Sequence, residues 1–363
     1  MNQQVNFFAH FNYTGVGRHC ENAFFALSRN RPTGLMVEYV NQTREASVAR
    51  AVHGSQPQRD VTLFFWVYPE QLVRSFQGRR IIWWFFESDR LPRKWMQALG
   101  SFDAIWTPSG WAREVLLAHG QSADRVRVVE SGVNVQVFRP IPKAHDGFVF
   151  LSVGKYEGRK SIDETVESYL AEFPAARYPQ VQLWLKADFP LFPDRVRSLA
   201  KKLSHDPRIR VVSGDYTDEQ MADLYRSADA FVFPSKAEGF GLPLLEAIAC
   251  GVPAICTKTS AQSVFLDRIP GLFAPVQYEI APIVDKDYKF FYRADYDGSD
   301  FGTWALPSID SIRRCMRDVY EQHALWKKRA QQAASVVRRE FSWDAIALKA
   351  ITAIRGLPEG LRV

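Results

Sequence analysis

Short apolar runs that alternate with helical stretches, twice over along the chain, constrain most strongly how this sequence folds. Such runs lie at 61–67 and 80–86 in the first half, and at 148–153, 181–186 and 230–233 in the second. Runs of this kind suit strands of a parallel sheet, because helices cover both faces of such a sheet. The sequence therefore predicts an α/β chain with two doubly wound domains, whose ligands bind at the carboxyl ends of the strands, in a cleft between the domains.

A segment without periodicity separates the two series. Residues 138–147 contain two prolines and end in polar residues, as a linker does. We therefore divide the chain into an N-terminal Rossmann-like domain (1–140), a C-terminal Rossmann-like domain (141–340) and a terminal helix (341–363). The terminal helix is expected to pack back on the N-terminal domain.

Composition excludes several classes of protein. The chain is 47% hydrophobic and 24% charged, as globular proteins are, so a disordered or fibrous chain is excluded. No apolar stretch approaches the about 20 residues that span a bilayer, and the first residues do not resemble a secretory signal. The four cysteines show no CxxC spacing, which argues against a disulfide framework or zinc site and favours a cytoplasmic location.

The net charge of +6 is concentrated in the N-terminal part, where residues 1–140 hold 16 Lys and Arg against 11 Asp and Glu. This excess fits a face that meets phosphates or a peripheral contact with the inner face of an anionic membrane. An ordinary solvated surface explains it equally well. The basic residues form no long run, so we expect no nucleic-acid partner.

The most informative segment is 238–246, which reads EGFGLPLLE. Glu238 and Glu246 lie eight residues apart, and Gly239 and Gly241 directly precede a predicted helix. Backbone N–H groups and the helix dipole bind anions at such a place, while carboxylates accept hydrogen bonds from hydroxyls. A sugar diphosphate carries both kinds of group. A glycine turn with surface glutamates is the alternative, but the strand-loop-helix context favours a ligand.

Residues 233–255, which include this segment, resemble the signature of the retaining glycosyltransferases of family 4, also called glycosyl transferases group 1. Further similar stretches extend the resemblance over nearly the whole chain, at 15–18, 106–111, 131–140 and 152–161. The resemblance implies a GT-B fold, with the acceptor bound by the N-terminal domain and the donor by the C-terminal domain. It assigns the donor sugar and catalysis to Glu238, the nucleotide ribose to Glu246, and the diphosphate to the backbone around Gly239, Phe240, Gly241 and Leu242.

The resemblance also implies roles for basic residues and for a glycine pair. Lys155, Arg159 and Lys160 match the loop whose cations hold the donor phosphates, and Lys160 is expected to stabilise the departing diphosphate as well. A solvated turn is the alternative for this loop. Relatives usually have glycine where this chain has Ser161. Gly15 and Gly17 resemble the family's N-terminal glycine loop and are expected to lie at the donor.

The N-terminal domain departs from its relatives at one position of the site. Many relatives place a histidine near the sugar after a strand of this domain, whereas residues 83–92 contain none. Glu87 or Asp89 is expected to take its catalytic place, touching the donor sugar or the acceptor hydroxyl. A strand end that forms salt bridges is the alternative. His19, on the first helix, is more typical of a structural histidine.

Two other patterns are weaker. The D-x-D pairs at 285–287 and 295–297 are of the type that holds a divalent ion, but they are better explained as loop carboxylates, so no metal site is predicted. The pair Gly15 and Gly17 lacks the third glycine of a dinucleotide fingerprint, which argues against an NAD-dependent enzyme.

The resemblance implies a retaining, metal-independent hexosyltransferase without a cofactor. Its donor would be a UDP-, GDP- or ADP-sugar and its acceptor a glycan or a lipid-linked glycan, in the biosynthesis of surface polysaccharide or lipopolysaccharide. A nucleotide-sugar epimerase of the same fold and a non-catalytic sugar-nucleotide-binding protein remain open. Turnover of a nucleotide sugar with an added acceptor separates the transferase from both.

Overall fold

The computed structural model describes residues 5–9, 15–30, 33–35, 61–65, 79–143, 146–188, 193–292, 295–296, 298 and 300–356. Contacts divide the chain into two compact units. The first comprises Met1–Asn134, Ala294–Asp300 and Glu340–Val363, and the second comprises Val135–Arg293 and Phe301–Arg339. Residues 135–140, which the sequence reading puts in the first domain, thus belong to the second unit.

The described strands, in chain order, are β1 (Val5–Ala9), β2 (Thr33–Leu35), β3 (Val61–Phe65), β4 (Arg79–Trp83), β5 (Ala104–Thr107), β6 (Val126–Val128), β7 (Phe148–Lys155), β8 (Val181–Asp188), β9 (Ile209–Val212), β10 (Ala230–Phe233), β11 (Ala254–Thr257), β12 (Ala274–Val276), β13 (Tyr278–Pro282) and β14 (Thr303–Pro307).

The described α-helices are α1 (Gly15–Asn30), α2 (Arg93–Leu99), α3 (Gly110–Ala118), α4 (Ile162–Glu172), α5 (Pro193–Leu203), α6 (Asp218–Arg226), α7 (Leu242–Ala249), α8 (Ser263–Leu266), α9 (Lys286–Tyr292), α10 (Ile309–Glu321), α11 (His323–Glu340) and α12 (Trp343–Arg355). Two short 3₁₀ turns lie at Gly158–Lys160 and Ser260–Gln262. None of the described helices combines the length and the apolar character that crossing a bilayer requires.

The first unit is built on a parallel sheet whose described strands run in the order β2-β1-β3-β4-β5-β6. Every residue of β3 and β5 is buried, as the continuous apolar runs predict for strands covered on both faces. The terminal helix α12 packs against α1 within this unit.

The second unit carries a parallel sheet with the described order β12-β11-β10-β7-β8-β9. Counted from β7 as the first strand, this is the order 3-2-1-4-5-6 of the Rossmann fold. The order reverses between β7 and β10, and ligands of such sheets bind where the loops after these two strands diverge. A separate antiparallel pair, β13 and β14, follows this sheet.

Local signals in the sequence set several of these boundaries. Ser109 caps α3 by accepting a hydrogen bond from the Ala112 N–H, and Gly120 after the helix has a φ of +83°. Thr217 and Gln220 form a capping box at the start of α6. Residues 310–333 have helical periodicity throughout, but they belong to two helices, α10 and α11, because the chain turns at Gln322.

Candidate functional site

The candidate site lies where the loops after β7 and β10 meet, at the point of order reversal in the second unit. The loop after β7 forms the 3₁₀ turn Gly158–Lys160 and leads into α4. The loop after β10 leads to α7. The two loops are joined by the Lys236 N–H, which donates to the Arg159 carbonyl at 2.8 Å.

A buried carboxylate holds two cations at this point. The Lys160 ammonium lies 2.6 Å from one oxygen of Glu238, and the Arg159 guanidinium lies 3.2 Å from the other. Ser235 donates its hydroxyl hydrogen to the same carboxylate. Lys160 and Arg159 are each 8% exposed and Glu238 is 4% exposed, so three residues predicted for the site from distant parts of the sequence are brought together in a water-poor cluster.

Burial and pairing oppose each other in this cluster. Burial alone would raise the pKa of Glu238, but Lys160, Arg159 and the Ser235 hydroxyl together outweigh burial and hold that pKa below its usual range. Burial lowers the pKa of Lys160, and Glu238 only partly offsets that effect. The carboxylate is therefore ionised at neutral pH.

Each cation is fixed by contacts other than Glu238. Arg159 also donates to the Ala237 carbonyl at 2.7 Å. The stem of Lys160 packs so closely on Gly154 that a Cβ there would lie 3.2 Å from it, and its ammonium lies 5.1 Å from the centre of the Phe233 ring. Such fixed positions suit cations that must meet an anion without rearrangement.

Lys155, the third predicted cation, is placed differently. It lies at the end of β7 with half of its side chain exposed, and its ammonium is 3.6 Å from a Glu157 oxygen. The structure therefore groups Arg159 and Lys160 with Glu238, and it leaves Lys155 at the surface of the same loop.

The loop after β11, which the sequence analysis did not single out, clasps the backbone of Glu238. The Ser260 hydroxyl accepts from the Glu238 N–H at 2.8 Å, and the Ala261 N–H donates to the Glu238 carbonyl at 3.3 Å. In the sequence, this loop is recognisable only by its place after a strand. Its residues 258–262 read KTSAQ and contain no glycine pair or pair of carboxylates that would predict a binding site.

Gly241 directly precedes α7, as its N-cap, and has a backbone conformation that favours glycine. Its φ is +90°, and a Cβ would meet the Gln262 side chain at 3.2 Å. Leu242 is the first residue of the helix, and the ring of Phe240 contacts Phe265. The predicted order of glycine loop and helix N-terminus is thus present, with Gly239 in the bend that precedes it.

Glu246 lies one turn inside α7 and is buried. The hydroxyl of buried Tyr225, on α6, donates to its carboxylate at 2.9 Å. Tyr225 was not identified from the sequence, because helices α6 and α7 meet only in the folded unit.

The site residues predicted in the first unit lie after a strand or at the start of a helix. Glu87 and Asp89 follow β4 at its carboxyl end, Glu87 half-buried and Asp89 exposed. Gly15 and Gly17 resemble a glycine loop in sequence, but they lie in the first turn of α1.

His19 lies within the core of the first unit. Its Nδ1 shares a 2.7 Å hydrogen bond with the Ser131 hydroxyl, and its ring contacts the rings of Trp83 and Trp343. This burial lowers the pKa of His19 to about 3. The structural interpretation of this histidine fits its surroundings.

The described carboxylates of the D-x-D pairs serve as loop and helix contacts. Asp285 accepts from the Tyr288 N–H at 2.7 Å at the start of α9, Asp287 pairs with Arg195, and Asp295 pairs with Lys94. Asp297 lies outside the described residues. Among the residues that are described, no group of three or more His, Cys, Asp or Glu side chains is arranged around a potential metal position.

Part of the chain is similar in sequence to known glycosyltransferases. Residues 136–281 match the family model of glycosyl transferases group 1. The chain is 27% identical over 253 residues to a D-inositol 3-phosphate glycosyltransferase of Thermobispora bispora, a stretch that covers 66% of this chain and 52% of the relative. It is 30% identical over 179 residues to O-antigen chain mannosyltransferase B of Escherichia coli, covering 46% of each. These matches span only about half of the relatives' own length.

Comparison with solved structures covers nearly the whole chain. Sucrose-phosphate synthase from Thermosynechococcus elongatus superposes with a TM-score of 0.69 at 18% identity, covering 98% of this chain and 99% of that one. Anabaena HepE in complex with UDP and glucose gives 0.68 at 14% identity, covering 98% and 100%. These likenesses confirm the predicted fold class, GT-B with two Rossmann-like domains.

Proposed function

We propose that this chain transfers a hexose from a nucleoside diphosphate sugar to a glycan or lipid-linked acceptor, with retention of configuration. The match of residues 136–281 to the family model of glycosyl transferases group 1 supports this proposal. The observation that carries the proposal is the cluster of Arg159, Lys160 and Glu238 at the order reversal of the second sheet. The chemistry of this cluster matches a ligand that has both phosphates and sugar hydroxyls.

The two cations suit the leaving group. Breaking a glycosyl–phosphate bond moves negative charge onto the diphosphate, and fixed cations in a water-poor site stabilise that charge more than water does. Arg159 offers a fork of donors to phosphate oxygens, whereas Lys160 offers a compact charge. Glu238 would keep its contacts with these cations and accept a further hydrogen bond from a hydroxyl of the donor sugar, and Glu246 would accept from the ribose.

Named relatives support a nucleotide-sugar donor and a pathway. The complex of HepE with UDP and glucose supports a UDP-sugar as the donor, with a GDP- or ADP-sugar as the alternatives. O-antigen chain mannosyltransferase B supports a role in surface polysaccharide or lipopolysaccharide synthesis. We further propose that transfer needs no metal or other cofactor and takes place at the cytoplasmic side of a membrane. Glu87 or Asp89 would serve the acceptor, and Gly15 and Gly17 would lie at the donor.

Nucleotide binding gives the first test. The full chain is unfolded thermally with UDP, GDP or ADP present, because a ligand at 100 times its Kd stabilises the folded state by about 2.7 kcal/mol. One nucleotide should raise the Tm clearly above the others. Its sugar conjugates are then incubated with candidate acceptors to detect transfer, and a chain that none of them stabilises or reacts with would contradict the proposal.

Glu246→Ala tests the ribose contact. It removes a charge-assisted hydrogen bond worth about 1.5–3 kcal/mol, so the Kd of the selected nucleotide should rise by at least about tenfold. Tyr225→Phe is the matched control, since it removes the hydrogen bond to Glu246 and leaves the carboxylate in place. Equal nucleotide affinity in Glu246→Ala and the parent chain would remove Glu246 from the site.

Chelation tests the metal-free route. Transfer by the parent chain should proceed at the same rate after EDTA treatment, because Arg159 and Lys160 supply the charge that a metal would otherwise supply. Loss of transfer with EDTA and its return with Mn²⁺ would instead assign a role to a metal ion.

A further inference from the structure

Gln262, in the turn after β11, is fixed by its amide nitrogen. This side chain is fully buried, at 0% exposure. Its Nε2 donates to the Thr257 carbonyl at 2.5 Å and to the Thr257 hydroxyl at 3.2 Å. A carbonyl oxygen only accepts, so the group that faces Thr257 is the NH₂ and the amide oxygen faces the other way.

The amide oxygen faces the loop that begins α7. A Cβ built on Gly241 would lie 3.3 Å from the Oε1 of Gln262. Gly241 belongs to the segment 238–242, in which Glu238 binds the two cations. The oxygen is thus held beside the segment to which the proposed function assigns the sugar diphosphate.

No described residue donates a hydrogen bond to this oxygen. A buried acceptor without a partner destabilises a fold, so such an atom needs an explanation. An apolar side chain of the same length would fill the space without this penalty. A hydroxyl group of the substrate could donate a hydrogen bond to this oxygen and so satisfy it.

Gln262 is also joined to Glu238 through buried hydrogen bonds. The Thr257 hydroxyl donates to the Ser235 carbonyl at 2.5 Å, and the Ser235 hydroxyl donates to the Glu238 carboxylate. Both acceptors, the Glu238 carboxylate and the Gln262 amide oxygen, are therefore positioned by one network. Rigid support of this kind is what a selective binding site requires.

We propose that the Oε1 of Gln262 accepts a hydrogen bond from one hydroxyl of the donor hexose and so selects donors that carry that hydroxyl. This inference rests on the proposed function and deepens it. A site built to bind a hydroxyl discriminates strongly against the analogue that lacks it, because the buried acceptor is then left unpaired.

The test compares deoxy donors in the parent chain and in Gln262→Met. UDP-glucose, GDP-mannose and ADP-glucose are first offered to the parent chain, and release of the nucleoside diphosphate is measured. Monodeoxy forms of the accepted donor follow, one for each hexose hydroxyl. With one of these deoxy donors, kcat/KM should be about 100-fold or more lower than with the complete donor in the parent chain. In Gln262→Met the same difference should be less than about tenfold.

Gln180→Met is the matched control. Gln180 is in the same unit, just before β8, and its amide contacts the Tyr320 hydroxyl rather than the site, so this variant should keep the parent's discrimination. Should Gln262→Met fail to fold, Gln262→Asn keeps both polar groups and withdraws the oxygen by one methylene. It should relax the same discrimination.

The outcomes separate the two proposals. If UDP, GDP and ADP do not stabilise the parent chain and it releases nucleoside diphosphate from none of the donors with the candidate acceptors present, the proposed function fails. If it accepts a donor but the Gln262 variants discriminate among the deoxy forms as the parent does, the transferase stands and the role of Gln262 is overturned. The Oε1 would then be satisfied by a buried water molecule.

Discussion

Ser161 and Ser260 are the described residues other than glycine that have a positive φ, at 53° and 48°. This conformation costs an L-residue with a side chain about 1–2 kcal/mol. Ser260 is compensated by its hydrogen bond with the Glu238 N–H, but no described residue binds the buried Ser161 hydroxyl.

Ser161→Gly should therefore stabilise the chain. Relief of the strained φ and of the unpaired hydroxyl outweighs the greater freedom of glycine in the unfolded chain, which is worth about 0.4–1 kcal/mol. We expect a gain of about 1–2 kcal/mol in urea unfolding. Ser260→Gly is the control and should bring no gain, because it loses a buried hydrogen bond. Equal gains from both variants would contradict this account of Ser161.

The buried ion cluster predicts coupled effects on stability. Lys160→Met leaves Glu238 with only Arg159 and Ser235 as side-chain partners among the described residues, so the free energy of unfolding should fall by about 3 kcal/mol. Adding Glu238→Gln removes the uncompensated charge and should recover at least about 1 kcal/mol. Urea unfolding of both single variants and the double variant measures this coupling, and strictly additive losses would show that the charges act independently.

At the scale of elements, α6 links a local sequence signal to the site. Its capping box is formed by Thr217 and Gln220, and its buried Tyr225 contacts Glu246. Thr217→Ala should lower the free energy of unfolding by about 1 kcal/mol, because the first-turn N–H of the helix loses its acceptor. Thr217→Ser keeps that acceptor and should retain most of the stability. A Thr217→Ala chain as stable as the parent would show that water replaces the cap.

Elements with local signals were predictable, and those that depend on distant contacts were not. The capping box of α6 and the Ser109 cap of α3 are visible in the sequence because capping involves residues three positions apart. The glycines at 15 and 17 suggested a loop, yet they lie inside α1, whose burial in the first unit outweighs their low helix propensity. The clasp of Glu238 by the β11 loop joins residues that are distant in sequence and follow no short motif.

At the scale of the whole molecule, the sequence predicts two parallel sheets but not the order of their strands. The meeting of Lys160 with Glu238 depends on β7 lying beside β10, with two strands intervening along the chain. From the sequence, only the family resemblance predicted that Lys160 and Glu238 belong to the same site. The hydrogen-bonded partners Ser235, Thr257 and Gln262 required the structure, because small polar residues after a strand are common in loops.

Acid should lower the free energy of unfolding through His19, at pH values above those at which most carboxylates of the chain are protonated. The folded-state pKa of this histidine is about 3, against about 6.5 when unfolded, so the unfolded chain binds the extra proton between these values. The stability that neutral His19 contributes is therefore present above pH 6.5 and is lost as the pH falls. At pH 5 the free energy of unfolding should be lower by about 2 kcal/mol. Most carboxylates titrate lower, near pH 4. Urea unfolding at pH 5 and at pH 7, followed by tryptophan fluorescence, measures this loss. His19→Gln keeps a polar partner for Ser131 and should remove most of the pH dependence, whereas an unchanged slope would assign it to other groups.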